Sequence, residues 1–282
     1  MIVGNIRSGQ PEWRSCWHKL KGGRPLGLFR ALLIGLFILS IPVTLIATNI
    51  RVAVSEQRVY DYSVKNFDAV GASGIPESEL IRANGEIRDY LTGGDGALSI
   101  TVTNALGEQE PLFSVRETAH MVDVRDLVRT VFTVQVLAMA LLLFLAVIML
   151  ILWPPRALAA AALYGSVLTA GTLGIVGLVA ISGFDAAWSQ FHVIAFTNDF
   201  WQLNPRSDHL IQMFPQSFWQ QITLLIGAMI LLEALVIAAV SAIYLMLSRP
   251  KAQSVDRPHP DVAGGPGHRR HISHANPRRV AR

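Results

Sequence analysis

Charge is scarce in this chain, and the places where it is missing decide the class. Of 282 residues only 16% are charged and 51% are hydrophobic, whereas a soluble domain carries about a quarter charged residues. Residues 31–50, 130–155 and 157–184 contain no charged side chain, and 214–248 contain only Glu233. A helix needs roughly 20 apolar residues to span the hydrocarbon of a bilayer. All four stretches are long enough and no other comes close, which excludes a soluble globular enzyme. The first run is longer than the roughly 7–15 apolar residues of a cleaved signal, and no small-residue cleavage site follows it. It reads as an uncleaved anchor.

Cysteine is almost absent. Cys16 is the single one, so no disulfide forms within the chain. Metal-binding spacings such as His-x-x-x-His or His-Glu-x-x-His are missing too. His259, His268, His271 and His274 sit in a Pro-, Gly- and Arg-rich tail whose spacing resembles no structural metal site, and a solvated, disordered tail is expected there.

The basic residues that are present fix an orientation. Arg7, Arg14, Lys19, Lys21, Arg24 and Arg30 precede the first run against one acid, Glu12. Arg156 lies in the short second connection, and Arg249, Lys251, Arg257, Arg269, Arg270, Arg278, Arg279 and Arg282 follow the last run. Lys and Arg accumulate on the cytoplasmic side, so both termini are expected inside, with residues 51–129 and 183–219 outside. The net charge of +4 is then a consequence of topology and no argument for nucleic-acid binding. The expected architecture is an all-α membrane protein. It has a basic tail (1–25), spans near 28–50, 130–153, 157–182 and 220–248, a small mixed α/β extracytoplasmic cap (51–129), an interfacial helical segment (183–219) and a cytoplasmic tail (249–282).

Within the cap, Pro76 with Glu77 and Glu79 marks a helix start, Leu80, Ile87 and Leu91 form its stripe, and Gly93-Gly94 ends it. Residues 98–103 alternate as a strand does and 104–107 read as a turn. Ser114-Val-Arg-Glu117 matches a capping box, opening a helix that runs on into the second span. In the second loop Asp185 is expected to cap a short helix with one stripe of Trp188, Phe191, His192, Ala195 and Phe196 lying in the interface. Asn204-Pro205 and Phe214-Pro215 read as two further helix starts. Gly171, Gly174 and Gly177 are read as close-packing positions in the third span.

Two histidines then stand out. His120 lies shortly before the second span and His192 shortly after the third, on one side of the membrane. Glu117, His120 and Asp123 are spaced by three and share a helix face. Alone, each histidine is more often a satisfied structural residue, and His120, His192 and His209 with Asp199 offer a conceivable zinc site. Glu233, an acid within the fourth span, is a functional candidate by default, but a protonated carboxyl bonded to a neighbouring helix is the plainer reading.

At these segments the sequence resembles the bacterial lipoprotein intramolecular transacylase family, Lit. The resemblance rests on Phe113-Ser-Val-Arg-Glu-Thr-Ala-His120-Met-Val-Asp-Val124 and on Phe191-His192-Val-Ile-Ala-Phe196-Thr-Asn198-Asp199-Phe-Trp201, continuing to Asp208-His-Leu-Ile-Gln-Met-Phe-Pro215. It covers about residues 26–248; the long basic N-terminal tail and the long C-terminal tail depart from the family pattern. The resemblance implies an enzyme without cofactor or metal that acts on diacylglyceryl lipoproteins among membrane lipids. It moves the sn-2 acyl chain to the α-amino group of the N-terminal Cys, leaving the lyso-form. His192 is then expected as base and His120 as holder of a proton for the oxyanion or leaving group, with the roles exchangeable. Glu117, Asp123, Arg116 and Asn198 are expected to orient them. The competing classes are a non-catalytic membrane protein that binds lipid or peptide at its outer face, and a metal-dependent membrane hydrolase.

Overall fold

The computed structural model describes residues 23–94 and 96–248; Cys16, most of the basic N-terminal tail and the histidines of the C-terminal tail lie outside them. The elements in chain order are α1 (Gly23–Ser55), α2 (Gln57–Asn66), α3 (Ala69–Ser73), α4 (Glu77–Thr92), β1 (Thr101–Thr103), β2 (Gln109–Pro111), α5 (Val115–Leu152), α6 (Pro155–Ser182), α7 (Phe184–Ala195), α8 (His209–Met213) and α9 (Gln216–Leu247). Four of them, α1, α5, α6 and α9, are long and apolar enough to cross a membrane; the expected spans 28–50 and 157–182 lie inside α1 and α6, and 130–153 and 220–248 pass the ends of α5 and α9 by one residue.

The length of α5 matters most for the site. Its 38 residues make a rod of about 57 Å, against hydrocarbon about 30 Å thick. The charged residues Arg116, Glu117, Asp123, Arg125, Asp126 and Arg129 all precede the charge-free stretch from Thr130. The first four turns of α5 therefore stand outside the hydrocarbon, with His120 about 15 Å along the helix from Thr130. The capping box that starts this rod is present as read. Ser114 Oγ accepts from Glu117 N at 3.3 Å, and Glu117 Oε2 accepts from Ser114 N at 2.8 Å.

The cap forms because its apolar positions close on one another. Leu80 and Ile87 of α4, Val102 of β1, and Leu112 are buried, and they join Met213 of α8 and Phe218 and Ile222 of α9 in one cluster. The cap is thus packed onto the end of the helix bundle. The hairpin pairs Thr101 with Pro111, Val102 with Glu110 and Thr103 with Gln109. It turns at Asn104, whose Oδ1 accepts from Leu106 N and Glu108 N, and at Gly107, whose φ of 83° suits glycine. The strand is shorter than the 98–103 expected. Its free edge is met by side chains of α4: Arg82 Nη2 donates to Thr101 O at 2.6 Å and Glu79 accepts from Thr103 N at 3.3 Å. Side chains here replace a further strand.

Three local expectations need correction. Asp185 lies in the first turn of α7 with Gly183 at the cap position, and its carboxylate accepts from Gln216 Nε2 at 2.9 Å. Asn204-Pro205 starts a turn, and the next helix begins only at His209 after Asp208; Asn204 N is held by Asp208 Oδ2 at 2.7 Å, which closes the turn. Gly171, Gly174 and Gly177 do not sit at a close approach, since a Cβ on any of them meets nothing within 4 Å. Gly174 and Gly177 instead line, with Gly227, a cavity of about 210 Å³ between α6 and α9. The close approach is at Gly165, where a Cβ would stand 3.1 Å from Ile41 Cβ and 3.2 Å from Ile38 O. Glu233 bonds a neighbouring helix: Asn49 Nδ2 donates to its Oε2 at 2.8 Å, tying α9 to α1.

Gly165→Val is expected to destabilise the bundle by about 1–3 kcal/mol through overpacking, whereas Gly174→Ala should leave it unchanged or slightly firmer. Thermal unfolding in detergent compares them, and an equal loss from both would contradict this packing.

Candidate active site

His120 reaches the site from α5 and His192 from the last turn of α7. Both are buried, at 6% and 7% exposure, and their ring centroids lie 6.0 Å apart with planes tilted by 37°. Among the described residues no hydrogen bond joins the two rings.

His192 has a defined tautomer. Its Nδ1 lies 2.8 Å from Trp188 O, one turn earlier in α7. A carbonyl only accepts, so in the neutral ring Nδ1 carries the hydrogen and Nε2 keeps a free lone pair. Around this ring stand Trp188 at 4.7 Å, Trp201 at 5.0 Å, Phe191 at 5.1 Å and Phe196 at 5.6 Å between centroids. His120 is met edge-on by Phe196 at 5.1 Å, and its buried Nδ1 has no hydrogen-bond partner. A buried polar atom without a partner can receive a bound group, and this one faces the site.

The electrostatics follow from this burial. Desolvation pushes the His120 imidazole down to about 4, with His192 adding to the fall and Asp123 opposing it. His192 is lowered by burial as well, against the hydrogen bond to the Trp188 carbonyl. Burial disfavours the charged ring in both cases, so both are neutral at pH 7 and remain so below the ordinary imidazole value near 6.5.

The other residues singled out in the sequence hold the frame. Glu117 is 1% exposed; besides capping α5 its Oε1 accepts from Leu210 N at 2.7 Å. That bond ties the start of α5 to α8, and Glu117 orients the helix rather than the imidazole. Asp123 Oδ2 accepts from Asn198 Nδ2 at 2.9 Å, while Asn198 Oδ1 accepts from Phe200 N at 3.1 Å. Arg116 Nη2 donates to Asp199 O at 2.5 Å. Together these bonds fasten the segment after α7, including Trp201, to α5. His209 is drawn away from the pair: its Nδ1 lies 2.9 Å from Gln212 Oε1. Among the described residues no group of three His, Cys, Asp or Glu side chains is placed to hold a metal ion. Trp201 packs against His192, its plane tilted by 32°, although its position beyond the end of α7 gives it no place in the helical stripe. The Glu117 to Leu210 bond spans 93 positions and leaves no local spacing signal either.

A sequence profile of the lipoprotein intramolecular transacylase Lit matches residues 35–219. A search of curated proteins finds no match. Solved structures share the fold. The in meso structure of the membrane integral lipoprotein intramolecular transacylase Lit from Bacillus cereus is 20% identical, with a TM-score of 0.68 over 78% of this chain and 97% of that one. A variant of the same protein with one histidine replaced by arginine is 19% identical, with a TM-score of 0.64 over 84% and 97%. A variant with a histidine replaced by alanine is 20% identical, again at 0.64, over 79% and 96%. Because the profile spans about two-thirds of this chain and includes both histidine segments, the chain belongs to the lipoprotein intramolecular transacylase family, Lit, and is a membrane acyltransferase.

Proposed function

We propose that His192 and His120 carry out the family's acyl transfer as a base and an oxyanion donor. The observation that supports this is the facing pair itself: one buried imidazole with a free Nε2 lone pair, and 6.0 Å away another with an unpartnered nitrogen. The substrate is a lipoprotein whose N-terminal Cys carries a thioether-linked diacylglyceryl group. Its α-amino group has an ordinary pKa near 8 and must lose a proton before it attacks. His192 Nε2 accepts that proton. The free amine attacks the sn-2 ester carbonyl, and the neutral His120 N–H donates to the resulting oxyanion. His192 releases the ammonium proton to solvent and takes one N–H proton from the nitrogen of the tetrahedral adduct; the adduct collapses by breaking the bond between the acyl carbon and the sn-2 oxygen, and the leaving oxygen takes that second proton from His192. Counted from the free amine, one N–H proton ends on the new sn-2 hydroxyl; the extra proton of the ammonium passes to solvent. The products are an N-acyl amide and an S-monoacylglyceryl group.

Nucleophile and ester belong to one molecule, so the protein forms no acyl-enzyme. Its work is to hold amine and carbonyl in contact, an entropic advantage of several kcal/mol or more. This is consistent with the lack of any Ser or Cys nucleophile among the site residues. We assign the cap and the histidine pair to the extracytoplasmic face, both termini to the cytoplasm, and the surrounding bilayer lipids as the medium from which the substrate enters. The Lys and Arg distribution supports that orientation. An alkaline phosphatase reporter fused after Ser248 should be inactive and a cytoplasmic reporter active; the reverse pattern would put the site on the wrong side.

His120→Ala and His192→Ala should each cut transacylation of a diacylglyceryl lipopeptide by at least a hundred-fold, with the folded protein retained in the membrane. Combining them should cost little more, because groups in one proton path fail as a unit. The pH dependence has a definite sign. Burial lowers both imidazoles, so the enzyme's own acid limb in kcat should fall below pH 6.5 rather than at it. Full activity of His192→Ala would remove the base assignment, and an acid limb at or above 6.5 would contradict the buried, neutral pair.

A further inference from the structure

A proton on His192 raises a problem that the described side chains solve in an unusual way. A buried imidazole that accepts a proton needs a partner for the charge, and a carboxylate commonly supplies it. Here Nδ1 faces the uncharged carbonyl of Trp188. The carboxylates of the neighbouring elements are engaged elsewhere: Glu117 by the amides of Ser114 and Leu210, Asp123 by Asn198, and the exposed Asp199 by Gln202 Nε2 at 3.2 Å. Of the basic groups, Arg116 is bound to Asp199 O, His209 is held by Gln212, and His120 faces His192 as a neutral ring. Among the described residues neither His120 nor His192 takes part in a salt bridge.

What does face His192 is π-surface. Trp201 lies 5.0 Å from it between centroids, its plane tilted by 32°, and Trp188 lies 4.7 Å away at 72°. A cation within about 6 Å of an indole face is attracted by the ring quadrupole, more strongly where water is excluded. The two indoles differ in what else they do. Trp188 also stacks on Phe184, Phe191 and Trp219, so it is part of the packing that seats α7. Trp201 is half-buried, and among the described residues its one ring contact is with His192.

We propose that Trp201 is a positioning residue for the transfer, whose indole face stabilises the positive charge that His192 carries between taking the proton from the amine and returning it to the departing oxygen. The inference rests on His192 as the base. It gives Trp201 a role in kcat rather than in substrate binding, because the charge exists only after proton transfer. The Asp123–Asn198 and Arg116–Asp199 bonds acquire a purpose from it, since they fix the loop that holds this indole in place.

The test is a shape-preserving one. Tryptophan bearing one to four ring fluorines, inserted at position 201 of the full-length protein in detergent or nanodiscs, weakens the quadrupole stepwise with little change in volume. With a synthetic diacylglyceryl lipopeptide, log kcat should fall steadily with fluorine number, reaching about ten-fold or roughly 1.4 kcal/mol, with KM unchanged. In an NMR titration the His192 imidazole should protonate at progressively lower pH. Trp201→Phe should keep more activity than Trp201→Leu. A flat kcat series, or a fall in kcat with an unmoved His192 titration, would overturn the proposal. The base assignment is tested separately by His192→Ala: activity there would sink that reading, whereas an inactive His192→Ala beside a flat fluorine series sinks the Trp201 role alone.

Discussion

One buried carboxylate fixes where α5 starts and what it is tied to. Glu117 accepts from Ser114 N with one oxygen and from Leu210 N with the other, at 2.8 and 2.7 Å. The first bond starts a helix well outside the hydrocarbon; the second binds that start to the short helix before the fourth span. A buried acid is costly unless its oxygens are satisfied, and here both accept backbone amides. The result is a rigid post that continues the second span upward and carries His120 one turn beyond Glu117. Loss of this carboxylate would leave the buried Leu210 amide and the helix-capping Ser114 amide without their partner and free the helix from its anchor.

The second constraint is the aromatic enclosure of His192. α7 buries His192 and half-buries Trp188, with Phe196 buried just past its end, while Val193 and Ile194 are exposed toward the surroundings, at 59% and 76%. An apolar exposed face of this kind belongs at a membrane interface. In the proposed mechanism it puts a dry, neutral base where an acyl ester and an amine can arrive together from the bilayer. Drying the site has opposing effects. It keeps the imidazole deprotonated at neutral pH, ready to accept, and it makes the protonated form harder to hold, which is where the indole of Trp201 enters. The same loop is fastened to α5 through Asn198 and Arg116, so the two histidines are linked by a frame although they come from distant parts of the chain.

Much of this was readable in the sequence. The four apolar runs, the capping box at Ser114, the helix from Glu77 and the three-residue spacing of Glu117, His120 and Asp123 all depend on local pattern, which sequence records directly. What was not readable depends on tertiary neighbours. Nothing local reveals that Glu117 reaches Leu210, or that Trp201 folds back over His192 after its helix has ended. Asp185 looked like a cap by residue type, but the chain enters α7 from α6 through Gly183 with little break, and its carboxylate bonds Gln216. The glycines at 171, 174 and 177 looked like contact points because small residues often are. Here α6 and α9 diverge at Gly174 and Gly177 and leave a cavity, while the contact is made at Gly165 against α1. His209 resembled a third member of the histidine group by proximity in sequence, and a short hydrogen bond to Gln212 takes it out.

The account stands or falls on transfer within one molecule, assisted by a histidine pair and without an acyl-enzyme. The most direct measurement is a crossover experiment with purified protein and two diacylglyceryl lipopeptides. One carries an isotopically labelled sn-2 chain, and the other carries an unlabelled chain and a different peptide mass. Mass spectrometry should find N-acyl lyso products that each retain their own acyl chain. Exchanged chains, or label left covalently on the protein, would contradict the mechanism.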